Sequence, residues 1–134
     1  MLGALIGDTV GSIYEFCNIK TIDFPLFSDG SSFTDDSVMT IAVADWLLHD
    51  PVRSQQGLED SLVKWGHRYP DESYGGAFSR WLFMPEFQSV FRDRDTETVD
   101  NIPYGVRHPY NSWGNGSAMR ASACGWLAQS VEDA

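Results

Sequence analysis

Residues 33–49 read FTDDSVMTIAVADWLLH, and this stretch decides the fold class. Its apolar side chains follow one another almost without interruption and include many good helix formers, so the pattern predicts a helix that is buried on nearly every side. Thr34 or Asp35 is suited to cap its start, because a side-chain oxygen there accepts a backbone N–H of the first turn. Asp50-Pro51 predicts its end, since a residue before proline avoids helical angles.

Before this helix, glycines recur every four residues, at Gly3, Gly7 and Gly11. On a helix this spacing places them on one face that a neighbouring helix can approach closely, which predicts a packing seam. If the same helix continues, Asp8 and Glu15 share one side of it, because seven residues make about two turns.

After it, apolar residues at positions 58, 62, 65 and 69 predict a one-sided helix over about 57–69. Gly75-Gly76 opens a short apolar stretch over 78–84, and residues 86–108 are interpreted as an irregular surface excursion. A last, largely buried helix is predicted from about 115 to 127. No convincing strand or repeat is found, so the predicted class is all-α.

Composition and charge narrow the classes of function. Hydrophobic residues make up 43% of the chain and aromatic residues 13%, which indicates a folded globular protein. The formal net charge is −10, from 19 acidic and 9 basic residues, so we expect no nucleic-acid partner, while a small phosphorylated ligand remains compatible. The opening residues lack the pattern of a leader or a membrane span, and we expect a cytoplasmic protein without a membrane partner.

The run from Phe33 to Ser37 places two adjacent carboxylates and a hydroxyl at the mouth of the buried helix. One interpretation is capping, because acidic side chains in a first turn stabilise a helix by about 0.3 to 1 kcal/mol. The other is binding of a hard cation, since Mg²⁺ and Mn²⁺ prefer carboxylate and hydroxyl oxygens. The residues by themselves leave both interpretations open.

Residues 110–120 read YNSWGNGSAMR and join small polar residues directly to the last predicted helix. Such backbone can approach a ligand closely and offer amides to phosphate, while Trp113 or Tyr110 is suited to stack on a base. An ordinary Gly-Asn turn followed by a cap explains the same residues.

Four of these runs together resemble the motifs of the ADP-ribosylglycohydrolase family, in the family's order. They are GALIGD at 3–8 with GSIYE at 11–15, TDDSVMT at 34–40, YGG at 74–76, and the run from 111 to 120. The resemblance spans residues 3 to about 126. Any one motif is common, whereas four in this order are specific.

The resemblance implies the N-terminal part of that family's all-α fold, and an enzyme that hydrolyses the glycosidic bond between ADP-ribose and a modified side chain or small molecule with two Mg²⁺ or Mn²⁺ ions. It makes Thr34, Asp35 and Asp36 metal ligands, and the two aspartates part of the catalytic centre. Glu15 matches the family's mobile-loop glutamate, which is expected to transfer a proton or activate water. Asp8 is expected to orient ligands or make structural hydrogen bonds. The ADP-ribose-binding loop is expected to comprise Ser112, Trp113, Gly114 and Asn115.

The family's second acidic cluster, Asp-x-Asp-Thr, has no convincing counterpart. Asp93-Arg94-Asp95-Thr96 spells it but precedes the 110–120 run and lacks the small apolar helix that should follow, so we interpret it as coincidence. We therefore predict one incomplete domain over 1–134 that lacks its C-terminal part, holds one metal ion weakly or none, and self-associates or is marginally stable. The alternatives to hydrolysis are a non-catalytic module that binds ADP-ribose or a metal, and a truncated helical scaffold.

Overall fold

A computed structural model describes residues 1–84, 107 and 112–131. Within these ranges the chain contains helices and no strand, which confirms the all-α prediction. Three features of the sequence lie outside the described residues: the acidic run at 93–96, residues 110 and 111 of the glycine-rich run, and the predicted irregular stretch over 86–108 apart from Arg107.

The described residues form two compact units. One contains the described residues of Met1–Ser73 and Gly116–Ala134, and the other those of Tyr74–Asn115. That the two belong to one domain stays a prediction. The helices are α1 (Leu2–Gly11), α2 (Asp35–His49), α3 (Gln55–Arg68), α4 (Gly76–Phe83), α5 (Gly116–Met119) and α6 (Ser122–Leu127).

Helix α2 forms the centre of the first unit. It begins at Asp35 after the N-cap Thr34 and ends at His49, where the sequence predicts both limits. Its buried apolar side chains are Val38, Met39, Ala42, Val43 and Ala44. Because Met39 and Ala42 are 0% exposed, this helix supplies the core against which its neighbours pack.

Helix α3 packs on α2 and begins two residues before the predicted start. Ser54 caps it by accepting a hydrogen bond from the Gly57 N–H at 3.0 Å, and Asp50 accepts from the Ser54 hydroxyl at 2.6 Å. The buried Ser61 hydroxyl donates to the Ala42 carbonyl at 2.7 Å. This bond fixes how α3 lies along α2, since a buried hydroxyl needs a partner.

Helix α1 departs from the sequence-based prediction in two ways. It ends at Gly11, and a 3₁₀ turn over Ser12–Tyr14 follows, so Glu15 comes after the helix and not on it. In the described part of the chain, a Cβ placed on Gly3, Gly7 or Gly11 meets nothing within 4 Å. The predicted packing seam is therefore wrong for the described residues, because the glycine face has no neighbour there.

The predicted last helix is split into α5 and α6. Between the two helices the chain turns through two hydrogen bonds that each span three residues. The Ala121 N–H donates to the Ala118 carbonyl, and the Cys124 N–H donates to the Ala121 carbonyl. Ala123 is buried, whereas Trp126 is 75% and Leu127 42% exposed. The prediction of a continuous, largely buried helix is thus wrong.

In the second unit, α4 carries the buried side chains Phe78, Trp81 and Leu82. Arg107 covers the end of this helix: its guanidinium lies 5.1 Å from the Trp81 ring centroid and donates to the Trp81 and Leu82 carbonyls at 2.9 and 3.1 Å. Among the described ranges, no helix has the length and apolar character needed to cross a membrane.

Candidate functional site

Asp8 joins α1 to the start of α2. Its carboxylate accepts hydrogen bonds from the Thr34 N–H at 2.8 Å, the Thr34 hydroxyl at 2.6 Å and the Ser37 N–H at 3.1 Å. Two of these donors are amides at the start of a helix, which have no intrahelical partner. Asp8 therefore makes structural hydrogen bonds that orient Thr34, one of the two roles that the sequence indicates for it.

Thr34 and Ser37 present hydroxyl oxygens at the start of α2. The Thr34 hydroxyl gives its proton to Asp8 and accepts from the Asp36 N–H at 3.3 Å, which leaves its second lone pair available to a further donor or a cation. Ser37 is 4% exposed, and its hydroxyl has no hydrogen-bond partner among the described residues. Buried hydroxyls without a partner are uncommon and call for an explanation such as a bound ion or water.

Asp35 is the most strongly perturbed acid of this group. It is 7% exposed, and burial together with the nearby charges of Asp36, Glu15 and Asp8 raises its pKa to about 6, although its own backbone N–H acts in the opposite direction. Crowding of like charges away from water accounts for the shift. A cation at this position would relieve the unfavourable energy, because an adjacent positive charge favours the ionised carboxylate.

Two further acids belong to the same electrostatic group. Burial and Asp8 raise the pKa of Asp36, while Arg120 acts to lower it. Burial, then Asp36 and Asp8, raise the pKa of Glu15. We call Asp8, Glu15, Asp35 and Asp36 the acidic cluster.

Glu15 is placed by the 3₁₀ turn that follows α1. Its N–H donates to the Ser12 carbonyl at 3.5 Å, and the Ser12 hydroxyl accepts from the Ser32 N–H at 3.2 Å. The turn is further held by Tyr14, whose ring packs edge-on against Phe24 at 5.4 Å. The segment that carries Glu15 thus returns to the start of α2. Asp8 and Glu15 do not share a helix face as expected, but the turn still places Glu15 where the charge of Asp8 acts on it.

Sequence reasoning assigned no role to two charged residues near the cluster. Arg120 acts on Asp36, and Asp8 is among the causes, after burial, that raise the pKa of Glu72. Arg120 could have been noticed in the sequence, because it is one of only 9 basic residues in this chain and it ends the run at 110–120. No local pattern points to Glu72, because it lies 64 positions after Asp8 in the sequence.

The predicted ADP-ribose loop lies in the second unit. The four residues of this loop are all exposed, and the Trp113 side chain is fully open to solvent; they are Ser112, Trp113, Gly114 and Asn115. The Ser112 hydroxyl accepts from the Gly114 N–H at 3.1 Å, which makes a tight polar turn. The ring of Trp113 is therefore accessible to a ligand in this unit.

The donor set of the first unit has the chemistry of a Mg²⁺ or Mn²⁺ site. Its oxygens come from the carboxylates Asp35, Asp36 and Glu15 and from the Thr34 hydroxyl, and hard cations prefer such ligands. Among the described residues, however, no three acidic, histidine or cysteine side chains come together closely enough to hold one ion. If a cation binds here, the described residues would supply only part of its coordination sphere, and water would have to complete it.

Comparison with known proteins identifies the family to which the sequence is similar. The sequence model of the ADP-ribosylglycohydrolase family matches residues 1–134. The chain is 24% identical over 152 aligned positions to mouse ADP-ribosylhydrolase ARH3 and 25% identical over 152 to the bovine protein of that name. In both cases the match covers 99% of this chain and 39% of the relative, so the chain spans about two-fifths of the length of these relatives. No solved structure matches it significantly.

Proposed function

Because this chain belongs to the ADP-ribosylglycohydrolase family, we propose that it takes part in hydrolysis of the bond between ADP-ribose and a modified side chain or small molecule. The observation that carries the proposal is the acidic cluster around Thr34, in which Asp35 is buried with a pKa raised to about 6. Such perturbed acids concentrate at functional sites, since four neighbouring carboxylates repel one another and are more than the capping of a helix start requires.

In the proposed site, Thr34, Asp35 and Asp36 hold Mg²⁺ or Mn²⁺. A bound cation of this kind orients hydroxyl groups and stabilises developing negative charge. Asp8 keeps the Thr34 hydroxyl in one rotamer by accepting its proton at 2.6 Å. The Ser37 hydroxyl is buried within the same helical turn as Asp36 and has no hydrogen-bond partner in the described part of the chain, so it fits an adjacent water or ion.

Glu15 is the proposed proton acceptor. Its raised pKa makes it a stronger base than an ordinary glutamate, and its position after a turn leaves it exposed to solvent. In the hydrolysis, the water oxygen forms a bond to the anomeric carbon, the bond from that carbon to the leaving group breaks, and Glu15 takes a proton from the water. The protonated Glu15 then gives this proton to the leaving group, which restores the carboxylate.

The exposed loop of Ser112, Trp113, Gly114 and Asn115 is proposed to bind ADP-ribose. Trp113 offers an open ring for stacking on adenine, and small neighbours let the backbone approach a diphosphate. A cytoplasmic location is part of the same proposal.

Cation binding is the first test. Asp35→Asn and Asp36→Asn should each weaken Mn²⁺ binding at least about tenfold in titration calorimetry, because each removes a charged ligand. Asp23→Asn, an exposed carboxylate of the same unit, is the matched control and should bind as the wild type does. Equal Mn²⁺ affinity in all four folded proteins would remove the metal assignment.

Ligand binding and turnover form the second test. Gly114→Val should block backbone approach and Trp113→Ala should remove stacking, so both should weaken ADP-ribose binding followed by NMR. Release of ADP-ribose from arginine- and serine-linked peptides with Mn²⁺ then separates hydrolysis from binding alone. ADP-ribose binding that survives both loop changes would refute the loop's role, and binding without any release would favour a non-catalytic module.

A further inference from the structure

Ser37 carries a buried hydroxyl in the first turn of α2, beside the acidic cluster. The residue is 4% exposed, and its Oγ has no hydrogen-bond partner among the described residues. A hydroxyl that is taken out of water and left without a partner destabilises a folded protein. The local structure explains both why this hydroxyl lacks a protein partner and what it is placed to contact.

The position of Ser37 in α2 removes the usual partner of a helical hydroxyl. Such a hydroxyl commonly donates to the carbonyl four residues earlier, as Thr9 of α1 does to Leu5 at 3.0 Å. For Ser37 that carbonyl belongs to Phe33, which precedes the extended N-cap Thr34 (φ −125°, ψ −169°). Because the N-cap carbonyl is the first acceptor of a helix, the Phe33 carbonyl lies outside the helical ladder.

Asp8 holds the backbone of Ser37 without serving its hydroxyl. The Asp8 Oδ2 accepts the Ser37 N–H at 3.1 Å and the Thr34 N–H at 2.8 Å, while Oδ1 accepts the Thr34 hydroxyl at 2.6 Å. These three bonds fix the turn from which the Ser37 side chain projects. The position of the hydroxyl is thus determined, although no described residue bonds to it.

The Ser37 side chain is directed back toward the start of α2. Residues three apart share a helix face, and the Cα–Cβ bonds of a helix tilt toward its N-terminus. Ser37 therefore lies one turn after Thr34, on the face where Asp8 bonds to both residues, and its Cβ points toward Thr34. Thr34 is one of the proposed cation ligands, so the buried hydroxyl is aimed at the proposed cation site.

A cation in this site would need water to complete its coordination sphere. Water bound to a divalent cation is polarised and donates a strong hydrogen bond. We propose that Ser37 is a positioning residue of the cation site, whose hydroxyl accepts a hydrogen bond from a cation-bound water and gains its partner only when the cation is present. This inference rests on the proposed metal-dependent function.

The substitution Ser37→Ala should have opposite effects on stability and on cation binding. In EDTA it removes a buried hydroxyl that lacks a partner and introduces the best helix former, so the melting temperature should be unchanged or rise by up to about 4 °C. In titration calorimetry the same variant should bind Mn²⁺ about three- to tenfold more weakly, because the bound water loses an acceptor. The electron paramagnetic resonance spectrum of bound Mn²⁺ should change as well.

Ser61→Ala is the matched control. Ser61 is a buried serine of the same unit, 7% exposed, but its hydroxyl donates to the Ala42 carbonyl at 2.7 Å. Loss of this bond should lower the melting temperature in EDTA by about 2 to 5 °C and leave the Mn²⁺ affinity and spectrum as in wild type. Ser37→Cys nearly preserves the side-chain volume but accepts hydrogen bonds weakly, so it should weaken Mn²⁺ binding as Ser37→Ala does.

The outcomes separate this inference from the proposed function. If Ser37→Ala melts as far below wild type as Ser61→Ala, or does not fold, the hydroxyl already has a partner without the cation, and the inference is overturned. Wild-type Mn²⁺ affinity in both Ser37 variants would also overturn it, while leaving the metal function intact. A wild type that does not bind Mn²⁺ would refute the metal function and the role of Ser37 together.

Discussion

Asp8 is a single residue on which the geometry of the acidic cluster depends. It holds both the N-cap of α2 and an amide of its first turn, over distances of 2.6 to 3.1 Å. It is also a negative charge among negative charges. The hydrogen bonds should outweigh the repulsion, because three bonds to a charged acceptor are worth about 1.5 to 3 kcal/mol each, whereas the cost of a pair of like charges near a protein surface is about 4 kcal/mol at about 4 Å and falls with distance.

Replacement of Asp8 is therefore expected to destabilise the protein. Asp8→Ala should lower the free energy of unfolding by about 2 kcal/mol, since three donors lose their acceptor. Urea denaturation followed by circular dichroism measures this, with the exposed Asp23→Ala as control. A variant as stable as wild type would show that relief of repulsion cancels the lost bonds.

Asp35 gives the protein a specific dependence on pH. Its folded-state pKa of about 6 lies above the value near 3.9 of an unfolded aspartate, so the folded state binds more protons between those values. Stability should consequently fall as pH rises from about 4 to 6 and level off above, by about 1 to 3 kcal/mol. In EDTA, Asp35→Asn should melt higher than wild type at pH 8 and show a smaller fall. An identical pH profile in both proteins would argue against the raised pKa.

The turn between α2 and α3 leaves no room for a side chain at Gly57, because the capping groups of α3 lie against that position. A Cβ on Gly57 would collide with the Asp50 carboxylate and lie 2.9 Å from the Ser54 hydroxyl, both of which cap α3. Alanine is about 1 kcal/mol better than glycine in a helix, but displacing two capping groups costs more.

The expected result is that Gly57→Ala destabilises the protein by about 1 to 2 kcal/mol. Gly7→Ala on α1 is the matched control, because its Cβ meets nothing within 4 Å, and it should be neutral or stabilising by up to about 1 kcal/mol. Thermal unfolding of both variants measures the difference. Equal behaviour would mean that Asp50 and Ser54 can move aside without loss.

Helices differ in how far the sequence alone predicts them. For α2, helix formers, the cap at Thr34 and the proline after Asp50 all agree locally, and both ends are predicted correctly. The burial of α1 and α6 depends on neighbours that periodicity cannot supply. The acidic cluster was predictable from two short runs, whereas its link through Asp8 to Thr34 spans 26 positions, and the effect of Arg120 on the pKa of Asp36 joins residues far apart in the sequence.

The net charge of the protein and its exposed apolar surface have opposite effects on self-association. The net charge of −10 disfavours association, while α1 exposes Leu2 by 71% and Ile6 by 46% beside its open glycines. Leu2 and Ile6 are four residues apart and share one helix face. An apolar face of this kind drives association once salt screens the charges.

Association of the chain should therefore strengthen with salt. Sedimentation velocity at 0.05 and 0.5 M NaCl, between which the Debye length falls from about 14 to about 4 Å, should show larger species at high salt. Ile6→Glu should reduce them, and Val52→Glu, at an exposed turn position, should not do so beyond its added charge. A monomer under both conditions would show that this face does not self-associate.

The hydrogen bonds that Thr34 donates to Asp8 and that Ser32 donates to Ser12 close a loop at its base. The segment between these two pairs can change in length at a small cost in stability, because doubling the length of a flexible loop adds only about 0.6 kcal/mol to the entropic cost of closing it. Natural variation should accordingly accumulate as insertions and deletions between residues 15 and 31, while the two pairs at the base persist. A search for distant relatives would do better to fix the residues at the base and leave the spacing between them free.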